Sequence, residues 1–362
     1  MIRLPETIQK IDIQIPHRNW DIALSESFSL LIASQPGDVV CITGPSRAGK
    51  SRLIEELRKL LSAGVNYKQT GLIPVVVVEA ANTGPHGSFS TKALTQRMID
   101  AVKHPIFSLQ GDDLYDSLVY QKLNRATEGE LRFALERAFV ARQTRYLFID
   151  EAQHAKYAYS RSESGHAVID SWKCLAQTSE LVLVVVGAYP ILEVLQNSPH
   201  LLGRKHQVHL PRYHYNESDM EAFYWILAHY DRVVTLHAKL KTLQDCAQLL
   251  YDGSLGCIGL LRGWLTRASA ISAMYNTGVT REILKDTRIS KSDLNEILKE
   301  IIIGEKNLDT EDFIKTSIGH SYKTSQENKS SHKPFQRKPK RYKKKNRTEV
   351  DNSELVGIIT GE

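Results

Sequence analysis

The sequence lacks the features that mark secreted, disulfide-bonded and membrane proteins. Its four cysteines are far apart and include no C-x-x-C pair, so neither a disulfide framework nor a zinc site is indicated. The longest apolar runs, such as residues 181–186, are far shorter than the ~20 residues that a membrane helix needs. The N-terminal residues contain no long apolar segment, so we expect no secretory signal. These absences favour a cytoplasmic protein without membrane contact.

The overall composition is ordinary for a folded chain. Of the 362 residues, 42% are hydrophobic and 24% are charged, which excludes the collagen-like and wholly disordered classes. The length is enough for about two domains.

The positive charge is concentrated near the C-terminus. Residues 333–347 contain nine Lys or Arg and no acid, although the net charge of the whole chain is only +6, so the remainder of the chain stands at −3. The polar composition from about residue 324 onward predicts a disordered basic tail. Its cations, with Phe335 and Tyr342 between them, predict nucleic-acid binding by phosphate neutralisation and base stacking. The alternative is a solvated tail that only adds solubility.

Strand-like and helix-like patterns alternate through the first part of the chain. Four short apolar runs, at 38–43, 73–79, 146–149 and 181–186, are separated by helical patterns, and residues 206–210 are a candidate fifth strand. Runs that are apolar on both faces predict an α/β fold with a parallel sheet covered by helices. After residue 212 only helical spacing is found, and the last helix, from about 291, is expected to end at Gly304. We therefore expect an α/β domain at 1–212, a small all-helical domain at 213–304, and a C-terminal extension at 305–362.

One segment between a predicted strand and a predicted helix fits the phosphate-binding pattern G-x-x-x-x-G-K-[ST]. It consists of Gly44, Pro45, Ser46, Arg47, Ala48, Gly49, Lys50 and Ser51. The glycines let backbone N–H groups curl around phosphate oxygens, and the helix N-terminus adds its positive end. Lys50 would reach the β- and γ-phosphates, and the Ser51 hydroxyl would ligate Mg²⁺. The motif predicts a P-loop NTPase with ATP and Mg²⁺ as cofactors.

An acidic pair follows the third predicted strand. In a parallel sheet, ligands bind at the carboxyl ends of the strands, where Asp150 and Glu151 are expected. Asp150 would hold Mg²⁺ through water, and Glu151 would polarise the attacking water, so the pair predicts ATP hydrolysis to ADP and phosphate. The string DEAQH is similar to a helicase motif, but no other helicase motif follows. His154 either senses the site or caps a helix.

Other positions near the predicted site are less regular. The fourth strand ends in Gly187-Ala188-Tyr189, where many ATPases of this build place a polar residue that touches the γ-phosphate, and Ala188 has no such group. Arg204 stands where ring-forming ATPases carry an arginine finger, supplied to the neighbouring subunit to stabilise transition-state charge. A surface arginine is the alternative, and Lys205 is the second candidate. Arg262, on a later helix, is a candidate to reach the nucleotide from above.

Taken together, the P-loop, the acidic pair, Arg204 and the helical region resemble the AAA+ ATPases. Five shorter segments resemble, more narrowly, the transposition regulators TnsC and TniB, of Tn7-like and CRISPR-associated transposons: IPHR at 15–18, GPSRAGKS at 44–51, PVVVVEA at 74–80, IDEAQH at 149–154 and GCIG at 256–259. This resemblance covers about residues 10–275.

The narrower resemblance implies a DNA-binding regulator of transposition in a bacterial cytoplasm. Such a protein forms a homo-oligomeric ring or filament on double-stranded DNA with ATP, links a target-selection protein to the transposase, and disassembles on hydrolysis. It also implies that the 213–304 domain is a lid, that His17 and Arg18 lie near the adenine, and that residues 82–103 face the DNA. Lys92 and Lys103 are then candidate phosphate contacts.

Two other functions stay open at this point. An AAA+ protein of DNA replication or helicase loading would share the fold and the DNA ring but would bind a helicase or initiator. A nucleotide-gated switch would bind only protein, which the basic tail disfavours.

Overall fold

The structure is a computed structural model, and it describes residues 15, 17–84, 87–108, 122–123, 125–158, 164–196 and 205–324. The described elements as far as Glu311 form one compact unit. Two sequence predictions lie outside the described residues, namely the arginine finger at Arg204 and the disordered tail with its basic segment. Within the described ranges, no helix combines the length and apolarity that a membrane crossing requires.

A five-stranded, all-parallel sheet forms the centre of the first part of the chain. Its strands are β1 (Val39–Thr43), β2 (Val75–Glu79), β3 (Tyr146–Asp150), β4 (Val182–Gly187) and β5 (Lys205–His209). Their order across the sheet is β2-β3-β4-β1-β5, so β4 separates β1 from β3. All five agree with the predicted strands to within a few residues, and the predicted α/β parallel sheet is confirmed.

Helices cover both faces of the sheet. They are α1 (Arg18–Ala33), α2 (Lys50–Leu61), α3 (Tyr67–Thr70), α4 (Thr91–Ala101), α5 (Glu128–Ala141), α6 (Ser164–Thr178) and α7 (Pro190–Gln196), with a 3₁₀ helix at Ala152–Tyr157. Alternate strand residues enter two different hydrophobic clusters. Val39 and Cys41 pack with α4, α5 and α6, whereas Val40 and Ile42 pack with α1 and α2. Burial on both faces explains why β1 and β4 read as nearly unbroken apolar runs, whereas the edge strand β5 is only partly buried and its sequence is mostly polar.

The remaining described elements are all helical. They are α8 (Glu217–Tyr230), a 3₁₀ helix (Leu243–Cys246), α9 (Ala247–Ser254), α10 (Ile258–Met274), α11 (Arg281–Thr287) and α12 (Lys291–Thr324). All of these elements except α12 contribute to a core around Trp264, whose indole N–H donates to the Leu284 carbonyl at 3.0 Å. Helical spacing in the sequence predicts one helix over 239–251, but the structure has two shorter elements there, the 3₁₀ helix and α9. The domain boundaries at 212/213 and 304/305 stay a prediction.

The prediction that the last helix ends at Gly304 was wrong, because α12 continues to Thr324. The glycine is instead required by close packing at this position. A Cβ atom on Gly304 would lie 2.0 Å from the ring of Tyr189, the residue that follows β4 and Ala188. Gly304 therefore lets α12 approach the sheet closely rather than stop.

Candidate nucleotide-binding site

The P-loop connects β1 to α2 at the carboxyl edge of the sheet, and its glycines are required by its shape. A Cβ on Gly44 would lie 2.3 Å from the carbonyl oxygen of Leu210, which follows β5. Gly49 is the N-cap of α2 and has φ of 109°, a left-handed value that suits glycine. The loop therefore presents the first N–H groups of α2 toward the edge where parallel sheets bind ligands.

Lys50 is buried at the start of α2, with its amine turned back into the loop. Its Nζ donates to the carbonyl oxygens of Gly44 at 3.0 Å and Pro45 at 2.9 Å. Burial lowers the pKa of Lys50, while the nearby carboxylates of Glu151, Asp150 and Glu300 oppose that shift. The ammonium group is thus held at the centre of the loop, surrounded by acids from two other parts of the chain.

The acidic pair lies beside the P-loop, as the sequence predicts. The Ser51 hydroxyl donates to Oδ2 of Asp150 at 2.9 Å, and the Glu151 backbone N–H donates to Oδ1 at 2.9 Å. Burial raises the pKa of Asp150, and these two hydrogen bonds oppose the shift. A hydroxyl and a carboxylate oxygen in contact are the kind of donors that Mg²⁺ takes in nucleotide sites, so the residues present fit that ion.

Glu151 is held by a residue that sequence reasoning did not single out. Gln153 donates from Nε2 to the Glu151 carboxylate, and its Oε1 accepts a hydrogen bond from the Ala188 N–H at 3.2 Å. Glu151 itself has a left-handed backbone with φ of 53°. Gln153 therefore supplies a polar group at the end of β4, where Ala188 has none. The spacing Asp-Glu-x-Gln is the only sequence signal that points to it. His154 Nδ1 lies 2.7 Å from the Ala80 carbonyl oxygen.

A cavity of about 380 Å³ opens on the other side of the P-loop. Its lining combines loop, N-terminal and helical residues: Ile15, His17, Trp20, Leu24, Ala48, Gly49, Arg52, Glu56, Tyr230, Ile258, Gly259 and Arg262. An apolar cavity with a few polar groups next to a phosphate loop suits a nucleoside base. His17 and the additional candidate Arg262 both line it.

His17 and Arg18, which were predicted together, have different surroundings. Burial lowers the pKa of His17 to about 4, so its imidazole is neutral at pH 7, and its Nδ1 lies 3.0 Å from the Tyr213 hydroxyl. Arg18 forms an ion pair with Asp219 in the first turn of α8 and donates to the Ser218 hydroxyl at 2.9 Å. Arg18 thus joins the N-terminal segment to the helical region.

The helical region touches the P-loop directly through Gly259. Its N–H donates to the Arg47 carbonyl at 3.0 Å, and a Cβ at this position would lie 2.2 Å from the same oxygen. Because the Cβ would meet a backbone oxygen, the clash cannot be relieved by rotating another side chain.

We therefore expect Gly259→Ala to separate α10 from the P-loop. Overpacking of this kind costs about 1–3 kcal/mol, and we expect a lower melting temperature and about tenfold weaker nucleotide binding. Differential scanning fluorimetry with and without ADP measures both effects. Gly263→Ala is the matched control, since it lies one turn further along α10 and a Cβ there meets nothing within 4 Å. Equal behaviour of the two variants would contradict the role of Gly259.

The remaining candidate residues are dispersed. Lys92 lies in the first turn of α4, and Lys103 follows its last turn, so the 11-residue helix, about 16 Å long, separates them. The Lys103 ammonium lies 4.0 Å from the ring centre of Tyr67. Lys205 begins β5. As DNA contacts or an arginine finger, these residues stay predictions.

Comparison with known proteins agrees with this geometry. Residues 34–195 match the family model described as AAA domain. The structure is similar to that of the Aeropyrum pernix ORC2 protein, solved in ADPNP–ADP complexes, with a TM-score of 0.51 and 15% identity over 80% of this chain and 74% of that chain. The chain has the AAA+ fold. No curated protein matches it.

Other solved structures with lower scores match the chain as well. The AAA+ fold described here aligns with the Walker-type ATPase of Pyrococcus abyssi at a TM-score of 0.47 and 14% identity, over 83% of this chain and 79% of that chain. It also aligns with Drosophila ORC bound to DNA at a TM-score of 0.44 and 14% identity, over 78% of this chain and 64% of that chain. The predicted AAA+ resemblance is supported by the family model and by the similarity in fold to the Aeropyrum pernix protein, and the narrower one to TnsC and TniB stays a prediction.

Proposed function

We propose that this chain is an ATPase that binds ATP with Mg²⁺ and assembles on duplex DNA while ATP is bound. The observation that carries the proposal is the contact between Ser51 and Asp150, 2.9 Å apart, beside buried Lys50. This contact supports the proposal because P-loop nucleotide sites use a loop hydroxyl and an acid at a strand end to hold Mg²⁺.

Each residue of the site has a role in this reaction. Lys50 would bind the β- and γ-phosphates, and the base would occupy the cavity beside His17. Ser51 and Asp150 would hold Mg²⁺, which when bound offsets the negative charge of the phosphates. Glu151 would accept a proton from the attacking water, a general-base contribution of about 10²–10⁴-fold. Gln153 is a positioning residue, since it touches the Glu151 carboxylate and the end of β4.

The biological role that we propose is the regulation of DNA transposition. The protein would form a ring or filament on duplex DNA, link a target-selection protein to the transposase, and leave the DNA after hydrolysis. Support comes from the nine cations of residues 333–347 and from the five segments that resemble TnsC and TniB.

A replication or helicase-loading function is the second candidate, favoured by the similarity in fold to an origin-recognition protein. Affinity capture with purified transposase subunits and with a replicative helicase separates the two candidates. Capture by the helicase alone would exclude transposition. A switch that binds only protein would show no affinity for DNA.

Duplex DNA binding is expected to depend on ATP. Fluorescence anisotropy of a labelled duplex should show at least tenfold tighter binding with a slowly hydrolysed ATP analogue than with ADP, because assembly multiplies the contacts on one duplex. Affinity that is the same with both nucleotides, or no affinity in the full chain, would contradict the proposal.

A variant lacking residues 333–347 tests whether the basic segment supplies phosphate contacts. If all nine cations neutralise phosphates, the slope of log K against log salt should fall by up to about 8 in magnitude. An unchanged slope would mean that the tail only adds solubility.

A further inference from the structure

One acid of the C-terminal helix reaches the P-loop, although no motif includes it. Glu300 lies on α12, and the Ser46 hydroxyl donates to its carboxylate oxygens at 3.2 and 3.4 Å. The two residues are 254 positions apart in sequence. Glu300 is half-buried, so its charge is incompletely screened by water.

The neighbouring turns of α12 hold Glu300 in this position. Ile301 packs into a buried cluster with Tyr189, Leu192, Cys257 and Leu260. One turn further on, Gly304 lies against the Tyr189 ring. These contacts come from the sheet region and from the start of α10, so α12 packs against both.

An ion pair also holds α12 in this position. Arg212 donates to both carboxylate oxygens of Glu305, at 2.8 and 3.1 Å. Bidentate pairs of this kind are geometrically specific. These contacts hold the turn of α12 that carries Glu300, and the Ser46 hydroxyl binds its carboxylate at the loop.

The charge of Glu300 acts on the same part of the site as a terminal phosphate would. Its carboxylate accepts from the Ser46 hydroxyl, and the Lys50 ammonium donates to the carbonyl oxygen of Pro45, the residue before Ser46, so the two charges meet at the same segment of the loop. In a P-loop, this lysine reaches the β- and γ-phosphates, whereas the backbone N–H groups cradle the α- and β-phosphates. A carboxylate near Lys50 therefore competes for the ammonium charge and repels the γ-phosphate most strongly.

We propose that Glu300 determines the selectivity of the site between nucleoside di- and triphosphates. Its carboxylate at Ser46 weakens triphosphate binding more than diphosphate binding, so triphosphate binding works against the contact between α12 and the P-loop. This inference rests on the proposed nucleotide site but not on hydrolysis or on DNA. It makes α12 part of the nucleotide site, a role that sequence motifs do not assign to it.

Equilibrium titration of the full chain with fluorescent ADP and a fluorescent non-hydrolysable ATP analogue, both with Mg²⁺, tests the proposal. Glu300→Gln keeps an oxygen that accepts from Ser46 but removes the charge. We expect about tenfold tighter binding of the triphosphate analogue, equivalent to about 1.4 kcal/mol, and less than a twofold change for ADP. Glu300→Ala, which also removes the hydrogen bond, should change the ratio of the two affinities in the same direction.

Glu296→Gln is the matched control on the same helix. Its side chain is 70% exposed and pairs with Lys299, so neither affinity should change. An unchanged ratio in both Glu300 variants, or an equal shift for both nucleotides, would overturn the proposal and leave Glu300 as a support for α12. Failure of the unmodified chain to bind either nucleotide would instead refute the proposed nucleotide site.

Discussion

Replacing Lys50 by alanine is expected to raise the dissociation constant for ATP by at least about 100-fold. Lys50 is buried, and its ammonium is held in the loop by two carbonyl oxygens. Charge-assisted hydrogen bonds to phosphate in a partly desolvated site are roughly twice as strong as neutral ones, and alanine supplies none. Equilibrium titration with fluorescent ATP measures the loss. DNA-bound oligomers should be lost with it, as seen by negative-stain electron microscopy.

Lys59→Ala is the control for this substitution. Lys59 lies on the same helix α2, but its side chain is 49% exposed and pairs with Glu55 and Glu56. Exposed pairs of this kind contribute at most about 1 kcal/mol to stability. This variant should bind ATP like the unmodified chain. Rings or filaments that persist in Lys50→Ala would show that assembly does not require nucleotide.

Replacing Glu151 by glutamine is expected to preserve ATP binding and to slow hydrolysis by about 10²–10⁴-fold. The amide has nearly the shape of the carboxylate but cannot accept a proton from water. Because disassembly is proposed to follow hydrolysis, the variant should remain on DNA. Single-turnover phosphate release measures the chemical step, and dissociation after addition of competitor DNA measures the lifetime of the complex.

Glu180→Gln is the matched control, because it makes the same substitution at a residue with the same backbone conformation. Glu180 has the same left-handed φ of 53° as Glu151, but it lies in the turn between α6 and β4. The control should hydrolyse ATP at the unmodified rate. Normal turnover in Glu151→Gln would remove Glu151 from its proposed role.

Much of the fold follows from local sequence. Three strands, β1, β3 and β4, are recognisable in the sequence because they are buried on both faces and are therefore almost entirely apolar, whereas the edge strand β5 is only partly buried. The P-loop is recognisable because its constraints are local: Gly44 faces the Leu210 carbonyl, and Gly49 needs a left-handed backbone. The acidic pair follows from the same logic, because a parallel sheet brings the carboxyl ends of its strands to one edge.

The sequence by itself determined the sheet, the P-loop and the acids at the end of β3. Only the tertiary structure decided that Gln153 joins Glu151 to Ala188, that Arg18 pairs with Asp219, and that Glu300 reaches Ser46. The physical reason is that periodicity and motif spacing report the neighbours of a residue within a few positions. Contacts between residues that are 35 to 254 positions apart in the sequence depend instead on how distant elements pack together in the folded chain. Gly304 is another example: the sequence suggested that it ends a helix, whereas the structure shows that a glycine is needed there because the Tyr189 ring lies too close for a side chain.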